Sequence, residues 1–265
     1  QLDRLARVGE IIRRAVERRL GGKRIEGEIP WRERLDALFG GSALADDAEE
    51  QNARAEKAAA LQELYASRLS VLIGPAGTGK TTLLRVLCQE PAVREAGLLL
   101  LAPTGKARVR MEEQIQIKGA QTIAQFLLPL DRYDPATRAY RLSRRERVDA
   151  GRTVIVDEAS MLTEEQLAAV LDALAKIDRL ILVGDPRQLP PIGAGRPFLD
   201  IVRRLAPKNV EALFPRVSTG YAELTVRRRQ RGEERDDLLL AEWFSGRPLD
   251  SGADEIWGRI ETDQG

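Results

Sequence analysis

The most informative stretch of the sequence is Gly74-Pro75-Ala76-Gly77-Thr78-Gly79-Lys80-Thr81. It fits the phosphate-binding loop pattern G-x-x-x-x-G-K-[ST] in full, and it lies between an apolar run and a segment with helical spacing. Glycines let the backbone curl so that its N–H groups point at phosphate oxygens. We expect Lys80 to face the β- and γ-phosphates of ATP and the Thr81 hydroxyl to ligate Mg²⁺. The predicted nucleotide-contacting residues are Gly74, Pro75, Ala76, Gly77, Thr78, Gly79, Lys80, Thr81 and Thr82.

Short apolar runs alternate with helical stretches on both sides of this loop. The runs cover residues 69–73, 98–101, 153–156 and 180–183, and they are continuous, as expected for strands that are covered on both faces. The clearest helix begins with a capping box at Thr163 and Gln166. Strands alternating with helices predict an α/β fold with a doubly wound, mainly parallel sheet.

A second apolar run ends in two carboxylates, Asp157 and Glu158. At the end of a strand, Asp157 can hold the Mg²⁺ shell, and Glu158 can orient or deprotonate the water that attacks the γ-phosphate. The alternative is that the pair only caps the next helix. The sequence contains no histidine, so a carboxylate is the natural base.

The run at residues 182–184 leads into Asp185-Pro186-Arg187-Gln188. Parallel strands end at the same edge of a sheet, so we expect Gln188 to face the phosphate site beside Asp157. Asp185 either contributes to that site or only shapes the turn before Pro186.

Composition excludes several classes of protein. The 265 residues contain 42 Lys and Arg against 41 Asp and Glu, which excludes binding of nucleic acid through bulk positive charge, although not through a local basic patch. The absence of histidine excludes His-ligated metals and His-based catalysis, and one cysteine excludes an internal disulfide framework. Without a signal peptide or a long apolar run, we expect a cytoplasmic protein. Because the chain begins at Gln1, we expect it to be part of a longer protein.

The first 50 residues differ from the rest. Residues 2–20 are arginine-rich with helical spacing, Gly21-Gly22 ends that helix, and residues 30–39 form a second one. Residues 40–47 are expected to form a loop before a helix over residues 49–66. This region is either a solvated helical extension or a docking arm for another domain.

Two basic stretches can follow a phosphate backbone or form solvated faces. Aromatic residues make up only 5% of the chain, which argues against a base-stacking platform. Trp31, Trp243, Trp257 and Cys88 are expected to be packing residues. The two stretches are Arg138, Arg141, Arg144, Arg145, Arg147 and Arg152, and Arg227, Arg228, Arg229, Arg231 and Arg235.

Taken together, these segments resemble the first RecA-like lobe of superfamily 1 helicases, nearest the RecD-like branch, over residues 56–230. Besides the two motifs above, the resemblance rests on residues 101–107 (Leu-Ala-Pro-Thr-Gly-Lys-Ala), 121–127, 184–191 and 224–230 (Leu-Thr-Val-Arg-Arg-Arg-Gln). It implies that Gln188 senses the γ-phosphate and that Arg229 is an arginine finger at the entry to a second lobe. It also implies contacts to single-stranded DNA at Pro103, Thr104, Lys106 and Thr122.

Three features depart from the family pattern. Glu56-Lys57 occupies the place where the family has a Glu-Gln segment whose glutamine reads adenine. Ala124 stands where the family has a histidine after Thr-Ile. No family motif follows Gln230, so we expect these residues to include only the beginning of the second lobe.

We therefore expect three parts, a helical N-terminal extension (1–50), a RecA-like P-loop NTPase lobe (51–222) and the beginning of a second lobe (223–265). The leading hypothesis is the ATP-driven motor domain of a DNA helicase that acts on single-stranded DNA, with 5′ to 3′ polarity implied only by the resemblance and RNA as an alternative partner. The competing hypothesis is a nucleotide-dependent switch or scaffold ATPase that gates a partner without unwinding. The sequence downstream of the chain would discriminate between them.

Overall fold

The structure is a computed structural model that describes residues 2–39, 48–188 and 190–226. Its strands form a seven-stranded sheet and a separate two-stranded hairpin. In chain order they are β1 (Leu69–Ile73), β2 (Leu98–Ala102), β3 (Gln121–Thr122), β4 (Tyr133–Asp134), β5 (Ala139–Tyr140), β6 (Thr153–Val156), β7 (Arg179–Gly184), β8 (Arg216–Ser218) and β9 (Tyr221–Glu223).

The large sheet has the strand order β3-β2-β6-β7-β1-β9-β8 and is parallel except for the pair β8–β9 at one edge. The four strands predicted from the apolar runs form its centre, which confirms the mainly parallel sheet. β9 pairs with the other side of β1, with Val71 opposite Tyr221 and Ile73 opposite Glu223. The sheet therefore extends one residue past the predicted end of the lobe at residue 222.

Helices cover both faces of the sheet, because successive side chains of a strand point to opposite faces. The α-helices are α1 (Leu2–Leu20), α2 (Trp31–Phe39), α3 (Ala48–Ala66), α4 (Lys80–Gln89), α5 (Pro91–Arg94), α6 (Gly105–Ile115), α7 (Ile123–Leu127), α8 (Glu164–Ala173) and α9 (Pro197–Leu205). Val71 and Ile73 enter a core shared with α1, α7, α8 and α9, whereas Leu72 enters a second core shared with α2, α3, α4 and α6. This arrangement confirms the doubly wound fold.

Local sequence signals explain where these helices begin and end. The predicted capping box of α8 is present, since Thr163 Oγ1 accepts from the Gln166 amide and Gln166 Oε1 accepts from the Thr163 amide. After α1, the amide of Gly21 still donates to the carbonyl oxygen of Glu17 at 2.9 Å. α1 therefore ends at Leu20, where the two glycines predicted its end.

The N-terminal helices pack onto both layers of the lobe. On α1, Val8 and Ala15 are buried, and Arg13 and Arg14 remain exposed. Trp31 of α2 is buried as expected, and its Nε1 donates to Gln62 Oε1 of α3 at 2.8 Å. The predicted loop at residues 40–47 lies outside the described residues. In the described parts of the chain, no helix is both long and apolar enough to cross a membrane.

Candidate active site

The predicted phosphate loop connects the end of β1 to the start of α4. Gly74, Gly77 and Gly79 have φ angles of +155°, +82° and +86°, which L side chains rarely adopt. A Cβ atom at Gly74 would also lie 2.7 Å from the carbonyl oxygen of Leu224. The amides of the first turn of α4 have no partner within the helix, so this junction favours an anion.

Lys80 is the first residue of α4, and its ammonium group reaches back across the loop. Nζ donates to the carbonyl oxygens of Gly74 at 2.5 Å and Pro75 at 3.0 Å. Burial lowers the pKa of Lys80, and the negative charge of nearby carboxylates, Asp185 foremost, opposes that shift. The lysine is thus held at the loop, where its charge can meet phosphate oxygens.

Asp157 and Glu158 follow β6 and lie at the same end of the sheet as the loop. The Asp157 amide donates to the carbonyl oxygen of Leu101 at 2.9 Å, and Asp157 Oδ1 accepts from the Glu158 amide at 2.9 Å. Burial raises the pKa of Asp157. Glu158 has a φ angle of +50°, an uncommon backbone conformation for a residue other than glycine. Such strained conformations are concentrated at functional sites.

The strand order explains why these groups meet. β6, β7 and β1 are neighbours, with Val156 opposite Leu182 and Ile73 opposite Gly184. The residues that follow the three strands therefore lie along one edge of the sheet. The loop that follows β7 contains the predicted residue Gln188.

Gln188 is exposed, and its amide donates to the carbonyl oxygen of Asp185 at 3.1 Å. Asp185 Oδ1 accepts from the Arg187 amide at 3.0 Å, which is the turn-shaping role considered for it. The charge of the same carboxylate also acts on Lys80. Asp185 thus shapes the turn and contributes negative charge to the phosphate site.

The residues available for a magnesium ion are Thr81, in the first turn of α4, and Asp157. Mg²⁺ in nucleotide sites characteristically uses one or two protein ligands together with substrate phosphates and water. The Thr81 hydroxyl and the Asp157 carboxylate are oxygen ligands of the type that Mg²⁺ uses. In residues 2–39, 48–188 and 190–226, no group of three or more His, Cys, Asp or Glu side chains could hold a metal ion.

The predicted nucleic-acid residues lie together at the far side of the same edge. Pro103, Thr104 and Lys106 follow β2, and Ala102 pairs with Thr122 of β3. Thr104 Oγ1 accepts from the Ala107 amide and caps α6, and Thr122 Oγ1 caps α7 in the same way. Each hydroxyl retains its own hydrogen for donation to a phosphate oxygen. Lys106 is exposed.

The structure adds Arg110, which the sequence did not single out for this site, and it places Lys57 of the altered Glu-Lys pair beside the phosphate loop. The positive charge of Arg110 acts on both Lys80 and Asp157. The sequence could have pointed to Arg110, because Lys106 and Arg110 are four residues apart on one helix and share a face. Lys57 is buried, and its Cε lies 3.5 Å from the position of a Cβ atom at Gly79. The residue that replaces the family's adenine-reading glutamine is therefore next to the phosphate loop.

Two arginines of the first basic stretch form ion pairs with acidic residues of the protein. Arg141 pairs with Asp131, and Arg152 Nε lies 3.2 Å from Asp178 Oδ2. These contacts favour the solvated-face interpretation for those two residues. Cys88 is buried as expected, and burial raises the pKa of its thiol to about 12.

Some sequence-predicted residues lie outside the described part of the chain. They include Arg229, the other members of the second basic stretch, Trp243 and Trp257. The roles predicted for them therefore remain predictions.

Comparisons with known proteins agree with the motif analysis. A family model described as an AAA domain matches residues 52–241. The RecBCD enzyme subunit RecD of Mycolicibacterium smegmatis is 34% identical over 180 residues, covering 60% of this chain and 32% of that protein. The ATP-dependent RecD2 DNA helicase of Deinococcus radiodurans is 36% identical over 150 residues, covering 56% of this chain and 20% of that protein. An uncharacterized protein of Methanocaldococcus jannaschii is 31% identical over 189 residues, covering 63% and 15%.

The matched region thus spans between 15% and 32% of the length of these relatives. The resemblance to the RecA-like lobe of RecD-like superfamily 1 helicases is confirmed, and the domain is nucleotide-binding.

Proposed function

The chain belongs to the AAA domain family, and on this premise we propose that it is the ATP-binding and ATP-hydrolysing motor domain of a RecD-like DNA helicase that acts on single-stranded DNA. One observation carries the proposal. The neighbouring strands β6, β7 and β1 bring Asp157 and Glu158, the Gln188 loop and the phosphate loop to one edge of the sheet.

The residues at this edge have complementary roles in phosphoryl transfer to water. Lys80 and the loop amides bind the β- and γ-phosphates, and Thr81 with Asp157 would hold Mg²⁺, which supplies positive charge to the phosphate oxygens. Glu158 accepts a proton as water attacks the γ-phosphorus and the bond to the β-phosphate oxygen breaks. Gln188 reports whether the γ-phosphate is present.

The proposed nucleic-acid partner rests on the residues that follow β2 and on Thr122 of β3. Pro103, Thr104, Lys106 and Thr122 form a polar edge beside the nucleotide site, and the hydroxyls and the ammonium group are suitable donors for a phosphate backbone. One relative is named a DNA helicase, which supports DNA over RNA. The 5′ to 3′ polarity rests on the family resemblance alone.

A complete motor needs a second RecA-like lobe, which we propose follows this one in the natural protein. We propose the division into a helical extension (1–50), a RecA-like lobe (51–222) and the beginning of a second lobe (223–265), except that Glu223 belongs to the sheet of the first lobe. The names of the relatives support a motor over the alternative of a switch or scaffold.

The experiment that separates motor from switch uses the protein with its downstream lobe. We expect single-stranded DNA to stimulate ATP hydrolysis and ATP to drive separation of a duplex with a 5′ single-stranded tail. The Lys80→Ala variant should lose both activities. Hydrolysis that is indifferent to DNA, with no strand separation, would instead support the switch.

A further inference from the structure

We propose that Glu56 is a positioning residue that holds the segment Leu224-Thr225-Val226 against the phosphate loop, so that bound nucleotide and this segment are mechanically coupled. The inference rests on the proposed function, because it assigns a coupling role to the same nucleotide site. The segment begins directly after β9 and ends three residues before Arg229.

The first observation is the set of hydrogen bonds that converge on the Glu56 carboxylate. Oε1 accepts from the Thr225 amide at 2.7 Å and from Thr225 Oγ1 at 2.6 Å, and Oε2 accepts from the Val226 amide at 3.3 Å. The Glu56 side chain is completely buried. Burying a carboxylate costs free energy unless it is hydrogen-bonded, and these three donors offset that cost for Glu56.

The second observation is that the same segment touches the beginning of the phosphate loop. The Leu224 amide donates to the carbonyl oxygen of Ile73 at 2.9 Å. The carbonyl oxygen of Leu224 lies 2.7 Å from where a Cβ atom would stand on Gly74. If Gly74 moves toward Leu224, it therefore contacts the backbone of Leu224 directly.

The third observation separates Glu56 from an ordinary structural anchor. Another buried carboxylate of α3, Glu63, comes seven residues later and so lies on the same face of the helix. Glu63 Oε1 accepts from the amide of Gly220 at 2.6 Å, just before β9, and Glu63 also pairs with Arg24. α3 thus holds β9 at both ends, but only the Glu56 end borders the phosphate loop. Glu63 is a matched control.

The test is hydrogen exchange on the full 265-residue chain, with and without Mg·ADP. In the parent, we expect nucleotide to slow exchange both over residues 74–81 and over residues 224–226. In Glu56→Gln, an amide NH₂ replaces the acceptor for Val226. Exchange over residues 224–226 should then be about 2- to 10-fold faster, as expected for the loss of one hydrogen bond, and should no longer respond to nucleotide.

Three further measurements complete the test. Glu63→Gln should keep the nucleotide response over residues 224–226. Thr225→Val, which removes only the hydroxyl donor, should weaken that response. In the protein with its downstream lobe, Glu56→Gln should lower kcat for ATP hydrolysis and leave KM for ATP unchanged, whereas Glu63→Gln should leave both unchanged.

The outcomes distinguish this inference from the proposed function. If Mg·ADP protects residues 74–81 but residues 224–226 respond equally in Glu56→Gln and the parent, the coupling role of Glu56 is wrong and the nucleotide site stands. If Glu56→Gln and Glu63→Gln affect kcat equally, Glu56 has only a structural role and the inference is wrong. If the parent shows no protection over residues 74–81, the nucleotide site itself is wrong, and the inference is overturned with it.

Discussion

The amide of Glu158 donates a hydrogen bond to Oδ1 of Asp157 at 2.9 Å, so the backbone of one acid holds the side chain of its neighbour. It holds Asp157 against its own backbone at the end of β6, and it accompanies the left-handed conformation of Glu158. Under the proposed function, this bond positions Asp157 to hold Mg²⁺, and Glu158 accepts the proton of the attacking water.

Glu158→Gln is expected to retain ATP binding and to lose turnover. The substitution preserves the size of the side chain and removes its ability to accept a proton, and general bases contribute about 10²- to 10⁴-fold in rate. Single-turnover hydrolysis by the protein with its downstream lobe measures this. The exposed Glu113→Gln is the matched control. Unchanged hydrolysis in Glu158→Gln would leave Glu158 with only a structural role at the turn after β6.

Asp157→Asn should raise Tm in the absence of nucleotide and abolish the Mg²⁺ dependence of nucleotide affinity. Burial raises the pKa of Asp157 above its ordinary value of 3.8, so the charged form is penalised in the folded state. That penalty is complete above the raised folded pKa and disappears as the pH falls below 3.8, where both states are protonated.

The Tm difference between Asp157→Asn and the parent should therefore shrink on acidification through this window. Thermal unfolding between pH 7 and the acid limit of folding tests it. A Tm difference that is independent of pH would show that the charge of Asp157 is not the cause.

Lys80→Ala should weaken Mg·ATP binding by at least about tenfold, because a hydrogen bond to a charged group contributes about 1.5–3 kcal/mol. The variant loses the ammonium group that Gly74 and Pro75 hold at the loop. Calorimetric titration of the 265-residue chain measures the affinity. Lys176→Ala, which removes an exposed lysine near Asp149, is the control. Equal affinities in Lys80→Ala and the parent would refute the phosphate-loop assignment.

Binding of single-stranded DNA by this chain should be weak and strongly dependent on salt. The net charge is only +1, so affinity must come from local phosphate contacts. Lys106→Ala should reduce the slope of log affinity against log salt by about 0.7, the value for one phosphate contact on a single strand. Fluorescence anisotropy across a salt series provides the slope. The exposed Lys118→Ala should leave it unchanged. Tight binding that does not vary with salt would contradict this account of the DNA contacts.

Periodic and local signals in the sequence were sufficient for the centre of the fold. Apolar runs located β1, β2, β6 and β7, and Thr163 and Gln166 located the start of α8, because these signals lie within a few neighbouring residues. The phosphate loop was likewise recognisable from neighbouring residues alone, 74–81.

Contacts between distant parts of the chain could not be predicted in this way. β8 and β9 have three residues each, too few for a distinctive pattern, and Glu56 is separated from Thr225 by 169 residues. The apolar face of α1 was visible in the sequence, but its packing against α8 was not, because a helical stripe does not specify its partner. In the sequence, Glu56 was noted only as the first residue of the altered Glu-Lys pair.

The most direct test of the central claim, that this chain is the nucleotide-binding lobe of a two-lobe motor, is its rate of ATP hydrolysis compared with that of the protein extended by the downstream lobe. The 265-residue chain contains the phosphate loop, Asp157, Glu158 and Gln188, so it should bind nucleotide. It should hydrolyse ATP slowly, because the downstream lobe is needed to hold Arg229 at the nucleotide. The extended protein should hydrolyse ATP faster in the presence of single-stranded DNA. Arg229→Ala should reverse that gain, since an arginine finger contributes about 10³- to 10⁵-fold. Equal rates for the two proteins, or an extended protein unaffected by Arg229→Ala, would contradict the account.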